Sequence, residues 1–200
     1  MVYAQRLGTK NPSPGIYIQD TEGYYHVADE WNGVYMPNGI AVITEIYSFI
    51  IALTDVHNTK YKWGGYGKKI NSMSYVTSTS SAQTDVNGSY YTSKIIETLK
   101  GVNDGYVDGA PAAEACRAFI FPNGSVGHLG SGGEWYNVLI NKSAIDYALN
   151  KCGGTPLSNN DYWTSQQYSS ERSWYATVLY TSLGNRDRNI EYNVRAFTLI

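Results

Sequence analysis

The sequence predicts an α+β domain, and three observations predict it. Segments 15–54 and 161–200 are rich in β-branched and aromatic residues with a period of two, the pattern of strands. Between residues 92 and 154 the pattern changes to helical spacing with start and stop signals. Strands and helices are segregated along the chain, not alternating, which favours one sheet in which the two ends of the domain meet.

The first element is a hairpin. "GIYIQDTEGYYHVADEW" holds two alternating runs around the turn-prone cluster Asp20–Gly23. "GIAVITEIYSFIIALTD" follows as one or two strands, too continuously apolar to be exposed on both faces. From Asn58 to Tyr91 the chain is rich in Gly, Ser and Thr and reads as long surface loops holding at most one hairpin. A helix over "TSKIIETLKG" starts at a Thr92 or Ser93 cap, buries Ile95, Ile96 and Leu99, and stops at Gly101. "APAAEACRAF" places Pro111 at the first helical position. In "SGGEWYNVLINKSAIDYALNKCGG", Ser131 and Glu134 have capping-box spacing, so each can answer the other's backbone N–H. Ile145, Ala148, Leu149 and Cys152 then recur on one helical face before Gly153 and Gly154 end it, with Ser143 and Asp146 placed to restart the helix after a kink. Strands return from Asp161 to Ile200, with Trp174, Ala176 and Val178 alternating against Tyr175, Thr177 and Leu179.

Composition narrows the function classes. Of 200 residues 42% are hydrophobic and only 16% charged, with a formal net charge of -2, so nothing marks a nucleic-acid or anionic-membrane surface. The 19 tyrosines fit either a Tyr-rich β protein or a recognition surface, where Tyr gives rigid contact area with a polar tip. No segment is long and apolar enough to span a bilayer, and "MVYAQRLGTK" lacks the apolar run of a signal peptide. Cys116 and Cys152 form no Cys-x-x-Cys; a disulfide between them is allowed, as are two buried small apolar side chains.

Chemistry-bearing constellations are missing. His26, His57 and His128 lie far apart without metal-ligand spacing. "GHLGSGGEW" lacks the Lys-Ser/Thr of a phosphate loop and completes no dinucleotide fingerprint, so a tight turn entering a capped helix explains it. There is no Gly-x-Ser-x-Gly elbow. Asp29–Glu30, or Asp104 and Asp108, could pair in space, which spacing alone leaves open.

"GSGGEWYNVLINKSAIDYALNKCGGTPLSNNDYWTSQQYSSERSWYATV" and the closing "YNVRAF" resemble the C-terminal half of a C-type-lectin-fold domain related to the formylglycine-generating-enzyme superfamily. Within that group the chain is similar to the variable proteins of diversity-generating retroelements of gut bacteria and their phages. "YKWGGYG", "TSKIIETLKG", "GAPAAEACRAFIFPNG" and "GHLGSGGEW" fit the same group, so the resemblance covers Gly39 to Phe197.

The resemblance implies a small mixed or antiparallel sheet joined by both termini, two main helices and long loops. It divides the chain into an N-terminal hairpin or extension at 1–38 and a ligand-binding domain at 39–200, with a variable face at 161–197. It also implies a frame of Gly133, Glu134, Trp135, Trp163, Ser165, Trp174 and Val194 to Phe197, Arg195 included. In this family diversification replaces adenines of template codons, typically Asn codons. Ser170, Arg172, Tyr175, Thr177, Leu179, Tyr180, Ser182, Arg186, Asp187, Asn189, Ile190 and Tyr192 are all reachable from such codons and make up the expected binding face. Glu171 and Glu191 are not, so they are fixed or come from a Lys-type codon.

Two departures limit what carries over. "SNNDYW" and "FPNG" replace the calcium-holding signatures of sugar-binding relatives, so no metal and no cofactor are expected. Cys116 and Cys152 do not match the reactive arrangement of the enzymes, so oxidase activity is not expected. The expectation is a non-enzymatic protein that meets a protein or glycan ligand on a cell surface, from a virion or phage-tail surface or from a bacterial cell surface. The alternatives are a structural virion or pilus component, and an oxidase related to the formylglycine-generating group.

Overall fold

The computed structural model describes residues 8–200; residues 1–7, part of the stretch read for a leader, lie outside the described residues. The chain is mixed α+β with antiparallel ladders. The opening hairpin forms from β1 (Gly15–Asp20) and β2 (Tyr25–His26). Asp20 Oδ1 makes its turn, accepting from the backbone N–H of Glu22 and Tyr24, and Gly23 supplies φ +81. β3 (Pro37–Ile43) and β4 (Ser48–Ile51) form a second hairpin, closed by Thr44 Oγ1 accepting from Tyr47 N.

β1 pairs with β3 through Gly15↔Ile43 to Asp20↔Pro37. The 1–38 segment therefore contributes an inner strand of the main sheet, and residue 38 falls inside β3. β6 (His128–Leu129) and β11 (Ala196–Leu199) complete a six-stranded sheet of order β2-β1-β3-β4-β11-β6. The first and last strands of the described residues thus share one sheet, with β11 seated on β4 through Phe197↔Ile51.

This sheet is buried on both faces, which is why the sequence of β3 and β4 is continuously apolar. Ile40, Val42, Phe49, Ile51 and Phe197 face one core, built with α4 (Gly132–Ile140) and α5 (Lys142–Lys151). Ala41, Ile50, Ala52 and Ala196 face a second core, built with α2 (Gly88–Leu99) and α3 (Pro111–Ala118). The capping box at the start of α4 is complete: Ser131 Oγ accepts from Glu134 N, and Glu134 Oε2 accepts from Ser131 N at 2.7 Å. α5 restarts after Asn141 without a side-chain cap; Asp146 instead pairs with Lys142 and accepts from Leu157 N.

Residues 58–91 correct the loop reading. They hold β5 (Tyr61–Lys62), α1 (Thr79–Thr84) capped by Ser78, and the first turn of α2, but no hairpin. α2 begins at Gly88, so Thr92 is an interior residue whose hydroxyl donates to Gly88 O. Trp63, Ile70 and Met73 are core residues; period-based reading misses them because isolated apolar side chains, not a periodic run, anchor this segment. The described residues contain five α-helices where the resemblance implies two main ones. No helix among the described residues is long and apolar enough to cross a membrane.

Candidate functional site

A second, three-stranded sheet carries the C-terminal residues: β7 (Asp161–Gln167), β8 (Arg172–Thr177) and β9 (Ser182–Asp187). One face of it is core. Tyr162, Trp174, Ala176 and Leu183 point there and pack with Trp135 and Ala82. The other face carries Trp163, Tyr175, Thr177 and Ser182, and the first of these is fully buried under the rest of the site.

β10 (Glu191–Tyr192) pairs with β5 and lays Tyr192 across this second face. The Tyr192 ring lies 4.7 Å from that of Trp163 and 4.9 Å from that of Tyr175, centroid to centroid. Trp163 Nε1 donates to Tyr61 O at 2.8 Å, which ties the floor of the aromatic cluster to β5. Gly184 sits directly opposite Tyr175, and the Tyr175 ring occupies the space above it; a Cβ there would lie 2.7 Å from the ring.

Charge frames the cluster. Asp161 and Arg186 both act on the Tyr175 and Tyr192 phenols. Burial, the Asp161 carboxylate and Tyr175 push the Tyr192 phenol up to about 12. Burial and Asp161 raise Tyr175 too, with Arg186 opposing. Both phenols are therefore neutral hydrogen-bonding groups at neutral pH. Beside them the β8–β9 turn projects Leu179 and Tyr180, 59% and 76% exposed. Thr177, Leu179, Tyr180 and Tyr192 line a depression of about 240 Å³ together with Lys60, Asn160 and Asp161.

The residues expected on one binding face do not all meet. Tyr175, Tyr192, Thr177, Ser182 and Arg186 share the outer face with the Leu179–Tyr180 turn, although Thr177 is buried and offers little surface. Arg172 and Asp187 pair with each other at 2.9 Å on the opposite side, in register with Trp174, and Arg172 also donates to Asn185. Alternation separates them: Arg172 is an odd number of residues from Tyr175, so the pleat turns it away. Ser170 lies in the β7–β8 turn, and Asn189 and Ile190 in the β9–β10 turn.

The frame residues Glu134, Trp135, Trp163, Trp174, Arg195 and Phe197 are all buried. Glu134 accepts from Ser131 and pairs with His128 at 2.9 Å, so that histidine is an internal partner of the capping box. His26 likewise pairs with Asp20 at 3.0 Å. Asp104 accepts from backbone N–H groups of Tyr66, Tyr106 and Val107, whereas Asp108 accepts from Asn103. Both cysteines are free. Burial raises both thiols, Cys116 also through Asp55, which works against a thiolate.

Arg188 is the residue that sequence reasoning missed. Placed in a polar run, it is fully buried and donates to Ser173 Oγ, Gln167 Oε1 and the carbonyls of Gly65, Lys68 and Ser169. It fastens the "YKWGGYG" loop and the β7–β8 turn to β9. The only available signal is weak: Arg188 lies at the strand end, beyond the Asp187 that pairs outward.

No family model matches the chain, and no curated protein matches it. Among solved structures the chain is similar to a fimbrial protein from Bacteroides ovatus ATCC 8483, with a TM-score of 0.55 and 13% sequence identity. The alignment covers 76% of this chain and 35% of that one, so this chain spans about a third of its length. The likeness is one of fold.

Proposed function

We propose that the chain is a non-enzymatic binding module that displays the Tyr175–Tyr192 cluster, with Arg186 and the Leu179–Tyr180 turn, to a protein or glycan ligand on a cell surface. The observation that carries this reading is the contrast within one sheet. One face is locked into core by Trp174, Ala176 and Leu183, while the other presents aromatic rings, a cation and exposed turn residues. Such a combination of rigid aromatic anchors and adaptable polar groups is how recognition surfaces gain contact at low entropic cost. The C-type-lectin-like scaffold and the retroelement-diversified face belong to the same proposal, resting on the motifs between Gly39 and Phe197. An extracellular, virion or bacterial-surface setting follows from a partner met on a cell. The raised thiols and the absence of a catalytic constellation among the sequence motifs favour binding over oxidase chemistry.

A second reading is a structural pilus component. It is favoured by the fold shared with a fimbrial protein, of which this chain spans only part.

The two readings are separated by replacing Tyr175, Tyr180, Arg186 and Tyr192 together with Ala and measuring adhesion to target cells by flow cytometry alongside the circular dichroism of the fold. Loss of adhesion with the fold retained supports the binding face; full adhesion sinks it. For diversification, the flanking DNA is sequenced. A reverse-transcriptase gene and a template repeat matching codons 161–197 except at adenines is the expected result.

A further inference from the structure

The depression beside Tyr180 is one end of a longer trough. It shares Lys60 and Asn160 with a second depression of about 330 Å³, which also contains Asn58, Ser158 and Asn193. That one in turn shares Asp55, His57 and Asn58 with a third of about 480 Å³, which ends against Phe119 and Thr155. The trough thus runs from the expected binding face into a region of the chain with no assigned role.

Its chemistry alternates in a particular way. Rings stand at both ends, Phe119 at one and Tyr180 with Tyr192 at the other. Between them the walls are amides and hydroxyls with the Asp55 carboxylate, the His57 imidazole and the Lys60 ammonium, and the second depression contains no aliphatic or aromatic hydrocarbon side chain. The side chains of Asn58 and Asn160 are exposed and make no hydrogen bond among the described residues. Amides of this kind both donate and accept, so one side chain can engage two neighbouring hydroxyls.

Two further features sit towards the Phe119 end. His57 is held at φ +128, a strained conformation for a residue with a Cβ, at the junction of two depressions. Arg195 is fully buried and donates to Asp55 and to Thr155 O, two residues of the wall, yet its Nη1 finds no partner among the described residues.

We propose that the trough from Phe119 to Tyr180 binds a linear oligosaccharide without a metal ion, its hydroxyls engaged by Asn58, Asn160 and Ser158 and its C–H faces lying on the rings at either end. This rests on the reading of the chain as a binding module, and names the ligand class for one side of its face. A peptide fits less well. An extended peptide needs a sheet edge for its backbone and apolar pockets for alternate side chains, and the middle of the trough offers neither.

The test uses the full chain in EDTA on a printed array of neutral and acidic oligosaccharides, followed by calorimetric titration of the best linear binder. Binding should occur in EDTA and weaken at least tenfold in Asn58→Ala/Asn160→Ala, whose side chains hold nothing in the fold. It should also weaken in Tyr180→Ala. No oligosaccharide bound, or binding unchanged in the Asn double variant, overturns the inference. If no sugar binds while adhesion still depends on Tyr175 and Tyr192, the glycan trough falls and the binding-module reading stands. If sugar binding depends on the Asn pair while adhesion ignores the tyrosines, the trough stands and the displayed face falls.

Discussion

The guanidinium of Arg188 lies over the indole of Trp63, 4.2 Å from the ring centroid. Its hydrogen bonds run to neutral oxygens from three separate segments, so it acts as a buried clamp that forms no ion pair with an acid among the described residues. Burial lowers its pKa to about 10, still far above neutral, so it is charged and the five bonds must compensate its desolvation. Arg188→Lys keeps the charge but cannot reach three carbonyls and two side chains at once. We expect a loss of about 2–4 kcal/mol in urea denaturation.

Glu134 closes the capping box and answers His128 from a fully buried position. Glu134→Ala leaves the Ser131 N–H and the His128 ring without acceptors. A loss of about 2–4 kcal/mol is expected, read as a lower midpoint of denaturation, and Glu134→Gln should recover part of it.

His57 stands at φ +128 on an exposed loop. Relief of the strain is worth about 1–3 kcal/mol, against about 0.5–1 kcal/mol of extra entropy lost by glycine. His57→Gly should therefore raise the melting temperature. A fall would show that the imidazole makes stabilising contacts that outweigh the strain.

Gly184 leaves room for the Tyr175 ring. Gly184→Ala should push that ring off its cross-strand position and loosen its contact with Tyr192, with little change in overall stability. The readout is the chemical shift of the Tyr175 ring protons together with adhesion, both of which should change.

The Tyr192 phenol has an ordinary pKa of 10.0 and is raised to about 12 in the folded chain. A raised folded value means that the folded state holds its proton longer than the unfolded chain. The corresponding stability is present in full below pH 10 and is lost as pH rises towards 12. Denaturation midpoints measured across this range should fall, and fall less steeply in Tyr192→Phe. Tyr47, also raised to about 12 by burial and then Glu134, contributes in the same direction and leaves a residual slope.

Local signals were legible wherever the chain satisfies itself over short distances. Asp20 turning the first hairpin, Ser131 and Glu134 capping α4, and Pro111 opening α3 depend on neighbours within a few residues. The segment 58–91 was not legible, because Trp63, Ile70 and Met73 are fixed by distant partners. Trp63 Nε1 donates to Thr164 O, and Gln167 satisfies the backbone at Ile70 and Met73. The candidate site was legible in its residue types and not in its faces: Tyr175 and Arg172 read as one polar population until the pleat separates them.

By itself, then, the sequence determined the α+β segregation, the caps and turns, the apolar strands of the main sheet, and the mixed chemistry of residues 170–192. Each depends on period and local hydrogen bonding, which are properties of neighbours along the chain. Only the tertiary structure decided that Tyr192 bridges Trp163 and Tyr175, that Arg172 and Asp187 turn away, and that Arg188 is a clamp. Those outcomes depend on strand register and on loops more than a hundred residues away, where burial of aromatic rings and satisfaction of one guanidinium override local preference.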